Sequence, residues 1–405
     1  MKETPINTPG LRKNLTQFLL LVLMNSLVGG MVGLERSILP DIGREEFGLK
    51  AHAAILSFIV VFGVSKAISN YFMGKWANRF GRKRMLVFAW ICALPIPWIF
   101  MYAESWTGII FANVLLGVNQ GFAWSSTVIM KIDLVGEKHR GLAMGLNESS
   151  GYLSLALVAY LTALIASHYS LRPEPFYLGV GITILALLGS IFLIRDTRTQ
   201  MKQEGSTSEI PRLERIFASL SYRNASLSSI TQAGLTNNLV DGMAWGLFPF
   251  FFAKQGFETE QIALLIALYP AIWGIGQLFT GKLGDHVAPK KLLVSGMALQ
   301  GLALGGMVLG DSLEYMVLCM VLLGLGTALV YPNFLTAIAA RTHPLDRASA
   351  LGVFRLWRDM GYAVGALLSS LIADTFGMNE SVLLVAFLSL FAAGNLTFRM
   401  KGLKS

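Results

Sequence analysis

The chain has 405 residues, 54% of them hydrophobic and only 14% charged, with a formal net charge of +9. A soluble domain carries roughly 25% charged residues, so the composition excludes an ordinary globular protein and points to a membrane interior. The positive balance is then explained by loops held on the cytoplasmic side, and no nucleic-acid partner is expected.

Apolar runs of roughly 20 residues recur along the chain, the length a helix needs to cross a bilayer with its own backbone satisfied. The first, at about 15–38, is too long for the core of a cleaved signal and lacks a small-residue cleavage site. Further spans are predicted at about 52–73, 84–103, 107–130, 142–167, 176–194, 226–252, 260–280, 291–310, 314–338, 349–373 and 381–398. About 25 of the 33 Lys and Arg residues fall in loops and tails on the side of the N-terminus, which predicts that both termini are cytoplasmic in a bacterial-type inner membrane. Arg195 to Ala225 is the one long polar stretch. It reads as a cytoplasmic linker, 195–225, between domains at 1–194 and 226–405, with a short amphipathic helix over Ile210 to Leu220 on the membrane surface or simply as a solvated connector. Forty-one glycines suit close helix packing in lipid. Cys92 and Cys319 lie in apolar runs and make no metal or redox spacing.

The two halves repeat. GKWANRFGRKRMLV from Gly74 corresponds to GKLGDHVAPKKLLV from Gly281, VLLG at 114–117 to VLLG at 321–324, and Arg140 with Gly145 to Arg347 with Gly352, all at an offset of 207. Three anchors at one offset indicate tandem duplication of a six-helix unit.

The loop from Gly74 to Arg84, between the second and third spans, resembles the signature loop of the major facilitator superfamily: glycine, a short variable run, a polar residue at Asn78, Arg79, an aromatic, Gly81, then basic residues. The resemblance covers nearly the whole chain. It implies an all-α membrane protein of twelve transmembrane helices, in two six-helix bundles related by pseudo-two-fold symmetry, that works by alternating access. It also implies a gate built from Gly74, Asn78, Arg79, Gly81 and Arg82 with Asp133 at the inner end of the fourth helix, and from the second copy at Gly281 and Asp285. The Arg79–Asp133 pair is the expected latch. The sequence departs from the family pattern in having Asn78 where an aspartate is usual, although Asp285 is kept; an amide can accept from a helix N-terminus but brings no charge to it. It also has Asn113 where many proton-driven members carry arginine. Finally, it lacks the glycine–proline pattern of many antiporters in the fifth helix, which reads Gly145-Leu146-Asn147-Glu148-Ser149-Ser150-Gly151.

Ionisable residues inside spans cost several kcal/mol on insertion scales and mark candidate sites. Here they are Glu35 and Arg36 in the first span, Lys66 in the second, Glu148 in the fifth, Asp241 in the seventh, and Arg355, Arg358 and Asp359 in the eleventh. The offset sets Glu35 beside the position of Asp241, and Glu148 at that of Arg355. One of Glu35 and Asp241 is a candidate proton carrier, and Lys66 with Asp359 a candidate pair. Structural readings stand beside these. Glu35 and Arg36 sit at the headgroup level if the first helix ends early, Arg355 reaches the surface by snorkelling, and the others form buried ion pairs. Polar and aromatic candidates for the solute path are Asn25, Asn119, Gln120, Trp124, Asn147, Asn237, Asn238, Trp245, Trp273, Gln277, Tyr331 and Asn333, about half of them expected to be structural.

No phosphate-binding glycine–lysine loop appears, which argues against ATP-driven pumping. His52, His139, His168, His286 and His343 fall at span ends or in loops, which argues against an intramembrane metal or histidine-based enzyme site. The expectation is a monomeric secondary transporter with no cofactor and no metal, whose partners are a small-molecule substrate, a proton and the bilayer. Proton-coupled efflux of an organic compound is the leading reading. Organic-anion symport or exchange is the alternative, and a sensor that moves nothing is a further one.

Overall fold

The computed structural model describes residues 10–49 and 57–402. The start of the second expected span, with His52, lies outside the described residues. All described secondary structure is helical. The helices are α1 Leu15–Arg36, α2 Leu39–Glu45, α3 Ser57–Phe80, α4 Arg82–Ala93, α5 Pro95–Tyr102, α6 Trp106–Val135, α7 Arg140–His168, α8 Tyr177–Phe192, α9 Arg198–Thr207, α10 Ala225–Lys254, α11 Thr259–Leu283, α12 Pro289–Gly306, α13 Leu313–Ala339, α14 Pro344–Thr375 and α15 Met378–Arg399.

Each expected span is met by one of these helices, except that the third is split into α4 and α5. Pro95 and Pro97 explain the break, because proline lacks the N–H that would continue the ladder and clashes with the preceding turn. Side-chain caps start several helices: Ser105 accepts from the Gly108 N–H at α6, Asn224 from Leu227 at α10 and Ser312 from Tyr315 at α13.

By length and hydropathy, eight segments qualify outright as membrane spans. The four expected spans outside that set lie in α6, α10, α12 and α14. These helices bury Asn119, Gln120 and Lys131, then Asn237, Asn238 and Asp241, then Gln300, then Arg355, Arg358 and Asp359. In α6, α10 and α14 this inward-turned polar load lowers mean hydropathy; in α12 Lys290 and Lys291 of the first turn, not buried, lower it as well.

The chain divides into two compact units. The first comprises 1–139, 146–209 and 343–352; the second comprises 140–145, 210–342 and 353–405. The first turns of α7 and α14 therefore group with the opposite half of the sequence. In the first unit α6 packs on α1, α3 and α4, and α8 on α1 and α4. The α3–α6 contact is close because Gly117 and Gly121 meet Ser65 and Ser69. In the second unit α13 packs on α11 and α12, and α15 on α10 and α12.

The linker helix differs from expectation. It is α9, Arg198–Thr207, and the backbone from 208 to 215 is not helical. Pro211 disfavours helix at Ile210, so only a short turn, Ile216–Ala218, and a wide helical turn at Ser219–Arg223 form within the expected segment.

Candidate functional site

In the first unit, polar groups converge from α1, α3, α6 and α7. Asn25 donates to the Asn147 carbonyl at 2.6 Å and accepts from the Thr127 hydroxyl at 2.9 Å. The Asn147 side chain accepts from the Lys131 ammonium at 2.5 Å and donates to Glu148 at 2.9 Å. The same Glu148 oxygen accepts from the Trp124 indole at 3.0 Å. Lys66, half-buried on α3, holds its ammonium 5.2 Å from the centre of the Trp124 ring. Asn25, Lys131, Asn147 and Glu148 are fully buried, so each charge in the cluster depends on its neighbours rather than on water.

Near the end of α1, Glu35 is fully buried while Arg36 retains 19% side-chain exposure. Their separation is 3.8 Å, and the guanidinium lies over the Phe58 and Phe62 rings. The helix ends at Arg36 as the headgroup reading requires, but burial of Glu35 does not fit that reading.

In the second unit a continuous chain of hydrogen bonds links five helices, α10 to α14. The Tyr269 hydroxyl donates to Asp241 and lies 3.1 Å from the Thr327 hydroxyl. Gln300 donates to Thr327 at 2.8 Å and to Asn237 at 2.7 Å. Asn237 donates to Asn238 at 3.4 Å, and Asn238 to Asp359 at 3.3 Å. Asp359 also takes two bonds from Arg358 at 2.8 Å. Beside this chain stands an aromatic stack: Trp273 lies on Tyr331 with centroids 5.7 Å apart, Tyr269 meets Trp273 edge-on, and the Arg358 guanidinium covers Tyr331 at 4.9 Å. Arg355 is fully buried, against the snorkelling reading.

The structure separates the candidate path residues. Asn25, Trp124 and Asn147 join the first cluster, and Asn237, Asn238, Trp273 and Tyr331 join the second. Asn119 is spent on the Ala89 carbonyl, Gln120 on that of Val28, and Asn333 on that of Leu329. Gln277 is buried, and Trp245 is 46% exposed. Lys131, Tyr269, Gln300 and Thr327 were not among the candidates. The offset contained a signal for two of them: it maps Phe62 onto Tyr269 and Gln120 onto Thr327. Lys131 sits one residue beyond the expected end of the fourth span.

The loop motif corrects the expected latch. Asp133 pairs with Arg82 at 3.2 Å and accepts from the Thr197 hydroxyl at 2.7 Å; Arg79 is exposed and lies over the Phe80 ring. The reason is the turn at Gly81, whose φ of 99° is a conformation glycine alone adopts without strain. The turn starts α4 at Arg82 and sends that side chain, not Arg79, into the core. Asp196 lies against Gly81 and accepts from the Lys83 backbone N–H.

The two motif copies meet helix starts differently. Asp285 accepts from the Gly141 and Leu142 N–H groups at 2.6 and 3.0 Å, a carboxylate on the positive end of α7. Gly281 lets that turn approach Gly145 closely. Asn78 does not accept from a helix start as expected; it donates to the Leu345 carbonyl at 2.5 Å. The first N–H groups of α14 are already satisfied by His343, whose ring takes Leu345 and whose carbonyl takes Asp346 and Arg347. Gly74 receives the Ser349 hydroxyl on its carbonyl. Arg347, nearly fully buried, makes a two-pronged bond to Glu204 of α9 at 2.8 Å on each prong.

Residues 18–236 and 230–401 match the family model described as Major Facilitator Superfamily. A relative from Rahnella sp., named multidrug resistance protein MdtG, is 23% identical over 377 residues, covering 91% of this chain and 89% of its own. Among solved structures, the proton:xylose symporter XylE superposes with a TM-score of 0.75 at 14% identity, covering 96% of this chain and 97% of that one. The human organic anion transporter MFSD10 gives 0.75 at 14% identity, covering 95% and 99%.

Proposed function

The chain belongs to the major facilitator superfamily, and from that premise we propose that this membrane transporter exports a small amphipathic organic solute in exchange for protons. The observation that carries the reading is Asp241, a buried carboxylate bonded to Tyr269 at one end of a hydrogen-bonded chain that ends in the Asp359–Arg358 pair. An intramembrane carboxylate is retained at a cost unless it performs work there. As a carboxylate it accepts from Tyr269. Once protonated it needs that hydrogen bond less, and the Tyr269 hydroxyl can turn to Thr327, so proton binding is transmitted along the chain toward Asp359.

Trp124 within the first unit and, separately, Trp273 with Tyr331 within the second are flat apolar surfaces of the kind an organic solute needs, each with a few oriented polar groups beside it. The name of the MdtG relative favours outward transport, and that of XylE favours proton coupling. The same reading places a monomer in the bacterial inner membrane with both termini cytoplasmic. A second reading, export or exchange of an organic anion, is favoured by Lys131. Lys131 is fully buried in α6 and bonded to Asn147, which brings a cation into the first cluster.

The test is flux in proteoliposomes under an imposed pH gradient, with cationic, neutral and anionic aromatic solutes compared. Uphill movement of at least one solute that stops when the gradient is collapsed is the expected result. Gradient-independent flux of every solute removes proton coupling, and preference for the anionic series selects the second reading.

A further inference from the structure

A shallow groove of about 380 Å³ opens on the first unit, lined by Lys83, Arg84, Val87, Phe88 and Ile91 of α4 and by Ile191 of α8. The five α4 residues are spaced to share one helix face. The face is divided along its length: both cations stand in the first turn, and the apolar side chains run from there toward Ile91, about 12 Å along the axis at 1.5 Å per residue. Phe88, Ile91 and Ile191 are 41%, 53% and 39% exposed, so protein leaves this lane uncovered.

The cationic end has capacity to spare. Arg84 is exposed and makes no hydrogen bond or ion pair among the described residues. The Lys83 ammonium uses one donor on the Ile191 carbonyl at 2.7 Å, leaving two. The carboxylate beside them, Asp196, is engaged by Arg198 and by the Lys83 backbone N–H. Lys75, Arg79 and Arg195 are also exposed in the same loop region or at the end of α8.

We propose that this groove is a binding site for one anionic phospholipid, its phosphate held by Arg84 and Lys83 and an acyl chain laid along Val87, Phe88, Ile91 and Ile191. A ligand with negative charge at one end and a long apolar body matches the groove's division of chemistry. A free phosphate leaves the apolar lane unfilled, and a zwitterionic lipid gains less from two unshared cations. Each basic residue near a membrane surface contributes about fivefold in binding of anionic lipid, so the pair gives about 30-fold.

The full chain, purified in detergent, is mixed with phosphatidylglycerol and phosphatidylcholine of identical acyl chains and read by native mass spectrometry. Wild type is expected to retain one phosphatidylglycerol in preference to phosphatidylcholine. Lys83→Gln with Arg84→Gln is expected to lose that preference by about 30-fold, and Ile91→Trp, which fills the lane, to lower retention of phosphatidylglycerol. Arg84→Gln alone, at an exposed position, gives the readout if the double variant does not fold, with about a fivefold loss. Equal retention of the two lipids by wild type, or an unchanged preference in the charge variants, overturns the proposal. Displacement of the lipid by an equal concentration of inorganic phosphate overturns it in favour of a simple anion site.

Discussion

At positions 207 residues apart, the first unit sets an ammonium on an indole and the second sets an indole on a phenol: Lys66 lies over Trp124, and Trp273 stacks on Tyr331. The contrast continues outward. Glu148 in the first unit is bonded to Trp124 and, through Asn147, linked to Lys131. Its counterpart in the repeat is Arg355. In the second unit Asp241 is tied to the Tyr269 hydroxyl and, through Thr327, to a run of amides. Duplication kept the positions at which chemistry is presented but not the chemistry. The first unit bonds its carboxylate to an indole and an amide, with Lys131 on the far side of that amide. The second offers hydroxyls and amides, which donate or accept as the proton state requires.

Breaking the second chain is expected to have the largest effect on coupling. Asp241→Asn is expected to lower gradient-driven flux at least about 100-fold, a loss of about 2.7 kcal/mol, while leaving downhill exchange and the melting temperature nearly unchanged. Glu148→Gln is expected to change apparent KM for solute while keeping the pH dependence of flux. Unaltered pH dependence in the Asp241 variant, or its loss in the Glu148 variant, reverses the assignment.

The next largest effect is structural and lies in the first unit. Arg82→Ala leaves Asp133 buried beside Thr197 without its cation and is expected to cost about 3 kcal/mol of stability. Arg79→Ala, at an exposed position, is expected to cost within about 0.5 kcal/mol. Thermal unfolding in detergent compares them, and equal losses return the latch to Arg79.

Tyr269→Phe sharpens the comparison inside the second unit. It removes one hydrogen bond to a charged group, a loss of about 1.5 kcal/mol, or roughly tenfold in coupled flux. Thr327→Val, one step further along the chain, is expected to do less. A Thr327 effect larger than that of Tyr269 means the chain does not start at Asp241.

The smallest effects concern the two motif copies. Asp285→Asn removes charge from the start of α7 and is expected to cost about 1 kcal/mol. Asn78→Asp gains no equivalent benefit, because His343 already satisfies the start of α14, and the variant loses the bond to Leu345. Melting temperatures of both variants decide this; a stabilised Asn78→Asp means that α14 needed a carboxylate after all.

Much of the fold was legible because a bilayer forces helices of a set length and concentrates cations in loops, and both leave marks on linear sequence. The split of the third span is also written in the sequence, as Pro95 and Pro97. The site was legible as individual residues: Glu148, Asp241, Arg358 and Asp359 are each unusual in a span. Their partners were less so. Tyr269, Gln300 and Thr327 are unremarkable types in apolar helices, and only their meeting makes them a chain. Lys131 was hidden by a helix that runs five residues past its expected end.

The sequence by itself determined the membrane class, the duplicated helical plan and which helices carry charge, because hydropathy, periodicity and a constant offset are properties of the chain in one dimension. Tertiary structure alone decided which of two neighbouring arginines reaches Asp133, that His343 relieves Asn78 of capping, and that Asp241 answers to Tyr269. Those outcomes depend on the direction a side chain takes from its helix. A turn of backbone at one glycine, or a few degrees of helix rotation, changes that direction without changing a letter of the sequence.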